Sequence, residues 1–352
     1  MKLSNVIEAL VEEKGLDGAI LKEIVCNGVL DAYQKRYPEF ILRVCCDEKS
    51  GELLVQVEKD VVATVQDEEL EITPRKAKTL GIVADIGQKA WVPFEGTIGR
   101  IEIMRARQLI AGEIRQVEAS TVYNEFKSKE GHIIQGVVHK NEKSGVSIKV
   151  QGDYLAFLPK SLSIPGERFT AGFPIRALLK EVLEYPRNEN QLILDRVSSD
   201  FLARLFELEI PEVFERIVDI KRIVRIAGYK SKVIVSSNDM NVDPVGTCVG
   251  VGGARIKPIL KDLSTEKIDI ISWTENKEHL IKDSLKPAEI NRVEISDNNK
   301  TARVWLDDDQ RSLAIGKMGQ NIALASQLTD IAIELVQLEN RESLDKKMNE
   351  EF

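Results

Sequence analysis

The sequence predicts a multidomain α+β protein, and three observations support this prediction. Near the C-terminal end, a unit made of a hairpin, a helix, a glycine turn, a second helix and a strand occurs twice. Five short strand-like runs precede these units, and a segment of mixed helical and strand-like patterns comes before those runs. A chain of 352 residues is long enough for about two to four domains that each bury a core.

Residues 1–126 have the pattern of one α+β domain. Apolar residues at helical spacing alternate with β-branched runs, and glycine or proline marks the breaks between them. The predicted elements are two helices within residues 4–36 (the second over Leu21–Tyr33), strands at Phe40–Cys46 and Leu53–Val57, further strands up to about Val92, and a long helix over Ile98–Phe126.

Residues 130–199 change to short strands, and five strands in so short a segment suit a closed barrel of the OB type. Such barrels bind single-stranded nucleic acid through a basic and aromatic face. The candidate RNA-binding side chains are His139, Lys149, Tyr154 and Phe157. For the two aromatic residues, packing in the barrel core is the alternative interpretation. The predicted strands are Gly131–Val138, Val146–Val150, Tyr154–Leu158, Ile175–Leu183 and Gln191–Arg196.

The repeated unit spans residues 200–275 and again residues 276–338. Each copy has Gly-x-x-Gly between two helices, and the loops lie 66 positions apart, because their first glycines are Gly250 and Gly316. The glycine spacing alone is weak, since the chain also has it outside this setting of hairpin, helices and strand. The shared setting of the two copies is what predicts a common function.

The glycine loops predict a clamp for a sugar-phosphate backbone. Glycines remove the Cβ atoms that would keep a backbone away, and the helix that follows directs N–H groups at a phosphate. KH domains hold about four nucleotides of single-stranded RNA in this way. A glycine corner needed only for packing is the alternative. The predicted RNA-binding residues are Gly250, Val251, Gly252, Gly253, Arg255 and Lys257, then Gly316, Lys317, Met318, Gly319, Gln320 and Asn321, with Arg225, Lys230 and Lys232 from the first hairpin.

The charge distribution is compatible with RNA binding although the net charge is −8. Residues 1–125 carry 16 Lys/Arg against 22 Asp/Glu, a net charge of −6. Residues 126–200 carry 11 against 9, a net charge of +2. The acidic excess is therefore concentrated at the N-terminal end, and local basic patches elsewhere remain available for phosphate.

Composition excludes several other classes of protein. No apolar run approaches the ~20 residues of a membrane span, and the acidic amphipathic start is unlike a signal peptide. The four cysteines have no metal-like spacing, so reduced thiols in a cytoplasmic protein are expected. No phosphate loop, serine elbow or histidine cluster appears. The acids at 307–309 are interpreted as a helix start and not as a metal site. The sequence predicts neither enzymatic activity nor a cofactor or metal.

Several longer motifs give this chain a resemblance to the NusA family of bacterial transcription factors, over residues 1 to 338. They are Gly99-Arg-Ile, Phe157-Leu-Pro, Ile164-Pro-Gly-Glu167, Leu205-Phe-Glu-x-Glu-Ile-Pro-Glu212, Asp243-Pro-Val-Gly-x-Cys-Val-Gly250, Glu266-Lys-Ile-Asp-Ile-Ile-x-Trp273, Ile315-Gly-Lys-x-Gly-Gln-Asn321 and Leu324-Ala-Ser-Gln-Leu328. Unlike most of the family, the chain has Val251-Gly252 where a basic residue is usual in the first loop.

The resemblance implies an N-terminal domain that docks on core RNA polymerase, an S1-type OB barrel, and two tandem KH domains of the bacterial type. Nascent single-stranded RNA would bind to the barrel and the KH domains. The resemblance assigns the polymerase contact to Arg100, Arg105 and Arg107, although a solvated helix face is the better explanation of these arginines taken alone. The implied role is to modulate pausing, termination and, with other elongation and antitermination factors, antitermination. The expected state is a monomer in the bacterial cytoplasm, with a polar tail at 339–352.

Two alternatives use the same modules. One is a KH/OB protein associated with the ribosome or with RNA decay. The other is a ribonuclease that resembles polynucleotide phosphorylase, although residues 1–125 show no pattern typical of its catalytic domain.

Overall fold

The computed structural model describes residues 17–47, 52–187, 190–296, 298 and 300–337. It divides into two compact bodies. The N-terminal body comprises residues 1–125 with 184–186, and the C-terminal body comprises residues 126–183 with 187–352. Within the described residues, no helix combines the length and the apolar character needed to cross a bilayer.

The N-terminal body is a small sheet with helices, as its mixed pattern predicts. Strand β2 is central: it pairs antiparallel with β1 and β4 and parallel with β3. The first predicted helix lies outside the described residues. The elements are α1 (Gly18–Arg36), β1 (Leu42–Cys46), β2 (Leu53–Val61), β3 (Glu71–Ile72), α2 (Pro74–Thr79), β4 (Lys89–Pro93) and α3 (Arg100–Phe126).

The short helix α2 lies in the segment for which further strands are predicted up to about Val92, between β3 and β4. Pro74 occupies the first helical turn, where its fixed φ and missing N–H are tolerated. The Thr73 side chain caps the helix by accepting a hydrogen bond from the N–H of Lys76 at 3.3 Å. A Thr-Pro pair followed by lysines and alanine is therefore a helix start that the strand-like neighbours concealed.

The C-terminal body begins with the predicted five-stranded barrel, which is closed in the order β5-β6-β7-β9-β8. The strands are β5 (Ile133–Asn141), β6 (Gly145–Val150), β7 (Leu155–Pro159), β8 (Pro174–Arg187) and β9 (Asn190–Asp195). Val146, Ile148 and Val150 of β6 lie in the core, and Lys149 between them is exposed on the outer face.

Two KH units of the same topology follow, at residues 199–272 and 277–337. In each unit, two strands form an antiparallel hairpin, and the third strand pairs parallel with the second. The first unit contains α4 (Ser199–Glu209), α5 (Pro211–Phe214), β10 (Val218–Ile226), β11 (Lys230–Ser237), α6 (Pro244–Val249), α7 (Ile256–Asp262) and β12 (Lys267–Ser272). The second contains α8 (Lys277–Ser284), β13 (Arg292–Ile295), β14 (Thr301–Leu306), α9 (Asp308–Ile315), α10 (Gln320–Thr329) and β15 (Ala332–Gln337).

The helical segment that enters the first KH unit is divided into α4 and α5. It breaks at Ile210, because Pro211 has no N–H to continue the helical bonds and starts α5 instead. Phe201, Leu205 and Ile210 remain fully buried in the core of this unit.

Buried apolar contacts connect the parts of the C-terminal body. Ile164 and Leu178 of the barrel belong to the core cluster of the first KH unit. A second cluster joins Ile234 and Ile271 of the first KH unit to Leu280 and Leu328 of the second. The two KH units therefore pack through apolar side chains, as their short connection predicts.

Candidate nucleic-acid interface

The two glycine loops have the same backbone conformation. In the first glycine loop (Gly250–Gly253), φ is 72° at Gly250, 59° at Gly252 and 78° at Gly253. In the second glycine loop (Gly316–Gly319), φ is 71° at the first position, 54° at Met318 and 75° at Gly319. Each loop is a single 3-10 turn between two helices. The repeat seen in the sequence is thus a repeat of local structure.

The first glycine of each loop is required by the loop itself. Gly250 and Gly316 combine positive φ with ψ of 166° and 179°, a region that is essentially restricted to glycine. A Cβ atom on Gly316 would lie 2.7 Å from Cβ of Asn321, and one on Gly250 would lie 2.9 Å from Cγ of Arg255. The first glycine of each loop is therefore needed for packing, which is the alternative interpretation of the motif.

The second glycine of each loop is open to solvent. A Cβ atom on Gly319 would meet nothing within 4 Å, and one on Gly253 would have Cε of Lys257 as its nearest neighbour at 3.5 Å. The missing side chains leave room for a phosphate beside the start of the following helix. The backbone-clamp interpretation therefore applies to the second glycines.

Arg255 and Asn321 occupy equivalent places, 66 positions apart, and both hold the helix that precedes their loop. Arg255 donates to the carbonyl of Thr247 at 2.9 Å and to Oε1 of Glu212 at 2.9 Å. The Asn321 amide donates to the carbonyls of Leu313 and Ala314 at 3.2 Å. Asn321 is buried, so its side chain is not placed to bind RNA as predicted, whereas Arg255 is half-buried and its assignment stays a prediction.

The basic side chains of the first hairpin are also engaged inside the protein. The Arg225 side chain is 2% exposed and donates to both oxygens of Glu266, at 2.8 and 2.9 Å. The Lys232 side chain is fully buried and contacts Asp269 at 2.8 Å, and burial lowers its pKa. These two assignments to RNA are corrected: both side chains are buried and paired with a carboxylate, which β-strand alternation could not distinguish from a basic patch.

Lys230 is the third hairpin residue to be corrected. Its side chain is 13% exposed and its Nζ lies 2.7 Å from Oδ2 of Asp269. The same Nζ donates to Oδ1 of Asn321 at 3.3 Å. Lys230 therefore faces the second KH unit and not solvent.

The side chains left on the outside of the loops are few. Val251 is 96% exposed and Met318 is 87% exposed, so both loop tips are apolar. Lys257 and Lys317 are exposed, while Gln320 is half-buried at the start of α10. Lys317 lies inside the second loop, whereas the first loop contains no lysine and Lys257 lies on the helix that follows it.

The barrel presents a mixed face across β5, β6 and β7. Lys149 pairs in register with Val137 on one side and Leu155 on the other, and all three are exposed. Phe157 is half-buried on the same outer side of β7, and His139 is exposed at a bulge in β5. Three predicted residues therefore lie on neighbouring strands. Val137 and Leu155 were missed, although alternation with the core residues of each strand would have found them.

Tyr154 is not on that face. It packs edge-to-face against Phe126, with ring centroids 5.6 Å apart, and Phe126 is buried. Tyr154 itself is half-buried, so this ring contact favours the packing alternative, and its assignment to RNA binding stays a prediction.

In the N-terminal body, α3 carries the predicted polymerase-binding residues. Arg100, Arg105 and Arg107 are exposed, as are the apolar neighbours Ile101 and Met104. Beside them, a mainly apolar groove of about 460 Å³ runs along α3 and α1. Exposed apolar side chains that alternate with arginines are typical of a protein-binding surface.

Among the described residues, no group of three or more His, Cys, Asp or Glu side chains could hold a metal ion. Asp307 precedes α9, and Asp308 and Asp309 lie in its first turn, the position expected for acids at a helix N-terminus.

The paired glycine loops and the adjacent barrel place this chain among the multidomain KH and OB-barrel proteins that bind single-stranded RNA. Residues 2–120 match the NusA N-terminal domain, residues 196–273 the NusA-like first KH domain, and residues 277–343 the NusA-like second KH domain. The chain belongs to the NusA family.

Full-length relatives agree with these domain matches. The transcription termination/antitermination protein NusA of Thermus thermophilus is 35% identical over 324 residues, which cover 88% of this chain and 84% of the relative. The protein of the same name from Bacillus subtilis is 32% identical over 338 residues, which cover 95% of this chain and 90% of the relative.

Proposed function

We propose that this protein is a transcription termination/antitermination factor that binds RNA polymerase through residues 1–126 and nascent single-stranded RNA through residues 130–338. The observation that carries the proposal is the pair of equivalent glycine loops in a chain of the NusA family, each with an open second glycine and with an exposed lysine inside the loop or on the helix that follows it. The activity is one of binding and needs no catalytic group. The protein acts as a monomer in the bacterial cytoplasm.

Transcription through a hairpin terminator tests the proposal. Addition of the protein to a reconstituted polymerase should change the fraction of transcripts that end at the hairpin and lengthen the pause before it. A double variant, Gly253→Asp with Gly319→Asp, should lose most of this effect, because two carboxylates would stand where phosphates are expected. If the protein leaves pausing and termination unchanged, the proposed role is wrong.

RNA binding has a matched control in the same chain. Gly81 has φ of 75° and nothing within 4 Å of its would-be Cβ, the same surroundings as Gly319, and it lies outside the residues assigned to RNA. Gly319→Asp should weaken binding to a short unstructured RNA, while Gly81→Asp should not. Equal losses would show that backbone strain, and not the loop, controls RNA affinity.

Polymerase binding is assigned to the exposed face of α3. In a pull-down with core polymerase, Arg105→Glu combined with Arg107→Glu should reduce capture of the full chain without changing RNA affinity. If the double variant still captures polymerase, Arg105 and Arg107 do not form the polymerase contact. Co-purification with ribosomal subunits instead of polymerase would favour the ribosome-associated alternative.

A further inference from the structure

The two glycine loops are supported differently, although their backbones match. In the first KH unit, Arg255 is anchored by Glu212 of the same unit at 2.9 Å. At the equivalent place in the second unit, Asn321 uses its amide nitrogen for the carbonyls of Leu285, Leu313 and Ala314, each at 3.2 Å. Its oxygen accepts from Lys230, which belongs to the first unit.

Lys230 reaches Asn321 from a fixed position. Its Nζ lies 2.7 Å from Oδ2 of Asp269, and the same oxygen lies 2.8 Å from Nζ of Lys232. Two ammonium groups thus share a single carboxylate, which leaves an excess positive charge directed at the Asn321 oxygen. Because the Lys230 side chain is only 13% exposed, it has little room to adopt another rotamer.

The surrounding contacts hold the two units in this arrangement. Ile234, two residues after Lys232 on β11, packs with Ile271 against Leu280 and Leu328 of the second unit. Residues 230, 232 and 234 share one face of the strand, so the lysines and the apolar contact are parts of the same interface.

We propose that Lys230 is a positioning residue for the second glycine loop. It orients the Asn321 amide, which in turn ties the end of α9 and the end of α8 to the start of α10. The loop between α9 and α10 is therefore held in its RNA-binding conformation by a side chain of the other KH unit. The first loop has its own support in Arg255 and Glu212. This inference rests on the proposed RNA-binding function.

Amide hydrogen exchange of the full-length protein tests the positioning role without RNA. Lys230→Met leaves Asp269 paired with Lys232, so no buried charge is left unpaired. Exchange at residues 317–321 should become faster by about threefold to tenfold, the range expected for loss of one hydrogen bond. Exchange at residues 250–255 should stay unchanged. Lys230→Arg, which keeps a cationic donor, should restore protection.

A lysine of α8 provides the matched control. Lys282→Met makes the same chemical change at a half-buried residue whose Nζ donates to the carbonyl of Asn291 at 3.2 Å and not to Asn321. Protection at residues 317–321 should be unaffected in this variant. Equal acceleration in both variants, or acceleration at both loops in Lys230→Met, would show general loosening and would overturn the proposal.

Binding to a short fluorescein-labelled single-stranded RNA gives the functional readout. Lys230→Met should weaken RNA binding by about threefold to tenfold, the range expected for loss of one hydrogen bond. The slope of log K against log salt should stay unchanged, because no phosphate contact is lost. The effect should vanish when Gly319→Asp has already disabled the second loop. A slope reduced by about 0.7, with an effect that persists beside Gly319→Asp, would indicate direct phosphate contact and overturn the proposal.

The remaining outcomes are also decisive. If the unchanged protein binds this RNA but Lys230→Met binds equally well, the positioning role is wrong and the proposed function stands. If the unchanged protein does not bind the RNA, the proposed function fails, and with it the functional part of this inference. Hydrogen exchange at the two loops would then test only the structural coupling between Lys230 and the second glycine loop.

Discussion

Met318 is the residue at which the two loops differ most in strain. Its φ is 54°, while the equivalent Gly252 has 59°, so a side chain occupies a left-handed position in the second loop only. Met318 is 87% exposed and has little burial to offset the strain. The same backbone is therefore relaxed in one repeat and strained in the other.

Exchanging these residues should have opposite effects on stability. Met318→Gly should leave the free energy of unfolding unchanged or raise it by up to about 1 kcal/mol, whereas Gly252→Met should lower it by about 1 kcal/mol. Urea denaturation checks both. A loss of stability in Met318→Gly would show that the Met318 side chain makes a contact that outweighs the strain.

Lys317 should contribute a phosphate contact. Lys317→Ala should lower the salt slope of RNA binding by about 0.7 and weaken affinity, and Lys317→Asp should weaken it further. Fluorescence anisotropy at several salt concentrations measures both. Lys257→Ala should act similarly at the first loop. An unchanged slope in well-folded Lys317→Asp would mean that the second loop does not face the RNA.

Cys248 should make the first KH unit sensitive to high pH. Burial raises the pKa of its thiol to about 12, and the nearby Glu212 carboxylate adds to this shift. A raised folded-state pKa gives stability that is complete below the ordinary thiol pKa of 9.0 and is lost as pH rises toward 12.

The matching experiment compares the protein with Cys248→Ala. The variant should lose about 1 kcal/mol of stability at pH 7, and this difference should shrink steadily above pH 9. Because the two proteins differ only at residue 248, the pH effects of all other titratable groups cancel in the difference between their stabilities. A difference that stays constant up to the highest accessible pH would contradict the shifted pKa.

At the scale of the element, each helix-loop-helix combines a closed and an open glycine. The first glycine fits against the side chain five positions later, and the second leaves space at the start of the following helix. Stability and RNA access are thus assigned to different glycines of the same motif.

Alanine substitutions should separate these roles. Gly316→Ala should cost more than about 2 kcal/mol of stability, because it adds a clash with Asn321 to a glycine-only conformation. Gly319→Ala should cost about 1 kcal/mol and should mainly weaken RNA binding. Thermal unfolding measures the stability of both variants, and fluorescence anisotropy measures their RNA binding. Similar stability losses in Gly316→Ala and Gly319→Ala would contradict the separation of roles.

At the scale of the whole molecule, two arginines of the barrel, one buried and one partly exposed, connect it to the first KH unit. Arg196, 3% exposed, pairs with Glu167 and also donates to the carbonyl of Asp262 at 2.7 Å. Arg176 of β8 bonds Asp262 at 2.6 Å and Glu209 at 2.5 Å. These contacts lie beside the shared apolar cluster, so the barrel and the first KH unit should unfold together.

Arg196→Met should lower the stability of both parts by about 3–5 kcal/mol, because it leaves the Glu167 carboxylate buried without its cation. Hydrogen exchange in β6 of the barrel and in β11 of the first KH unit should accelerate in parallel. Addition of Glu167→Gln should recover part of the loss. Acceleration confined to the barrel would show that the two parts unfold independently.

Much of the architecture followed from local patterns. Alternation and turn residues predicted the five barrel strands, and the matched setting of Gly250 and Gly316 predicted the duplicated KH topology. These features depend on backbone geometry and on apolar residues near in sequence, which a sequence displays directly. At Thr73-Pro74, local chemistry overrode the strand-like pattern, and the structure forms a helix that this pattern did not predict.

The sequence by itself determined where the loops lie, which glycines flank them and which family the motifs resemble. Only the tertiary structure decided which charged side chains are free. Arg225, Lys230 and Lys232 form part of a basic patch in the sequence, yet Glu266 and Asp269, distant in the chain, neutralise them in the fold. The physical reason is that a buried charge needs a partner in space, and strand pairing brings that partner from residues that no local pattern connects.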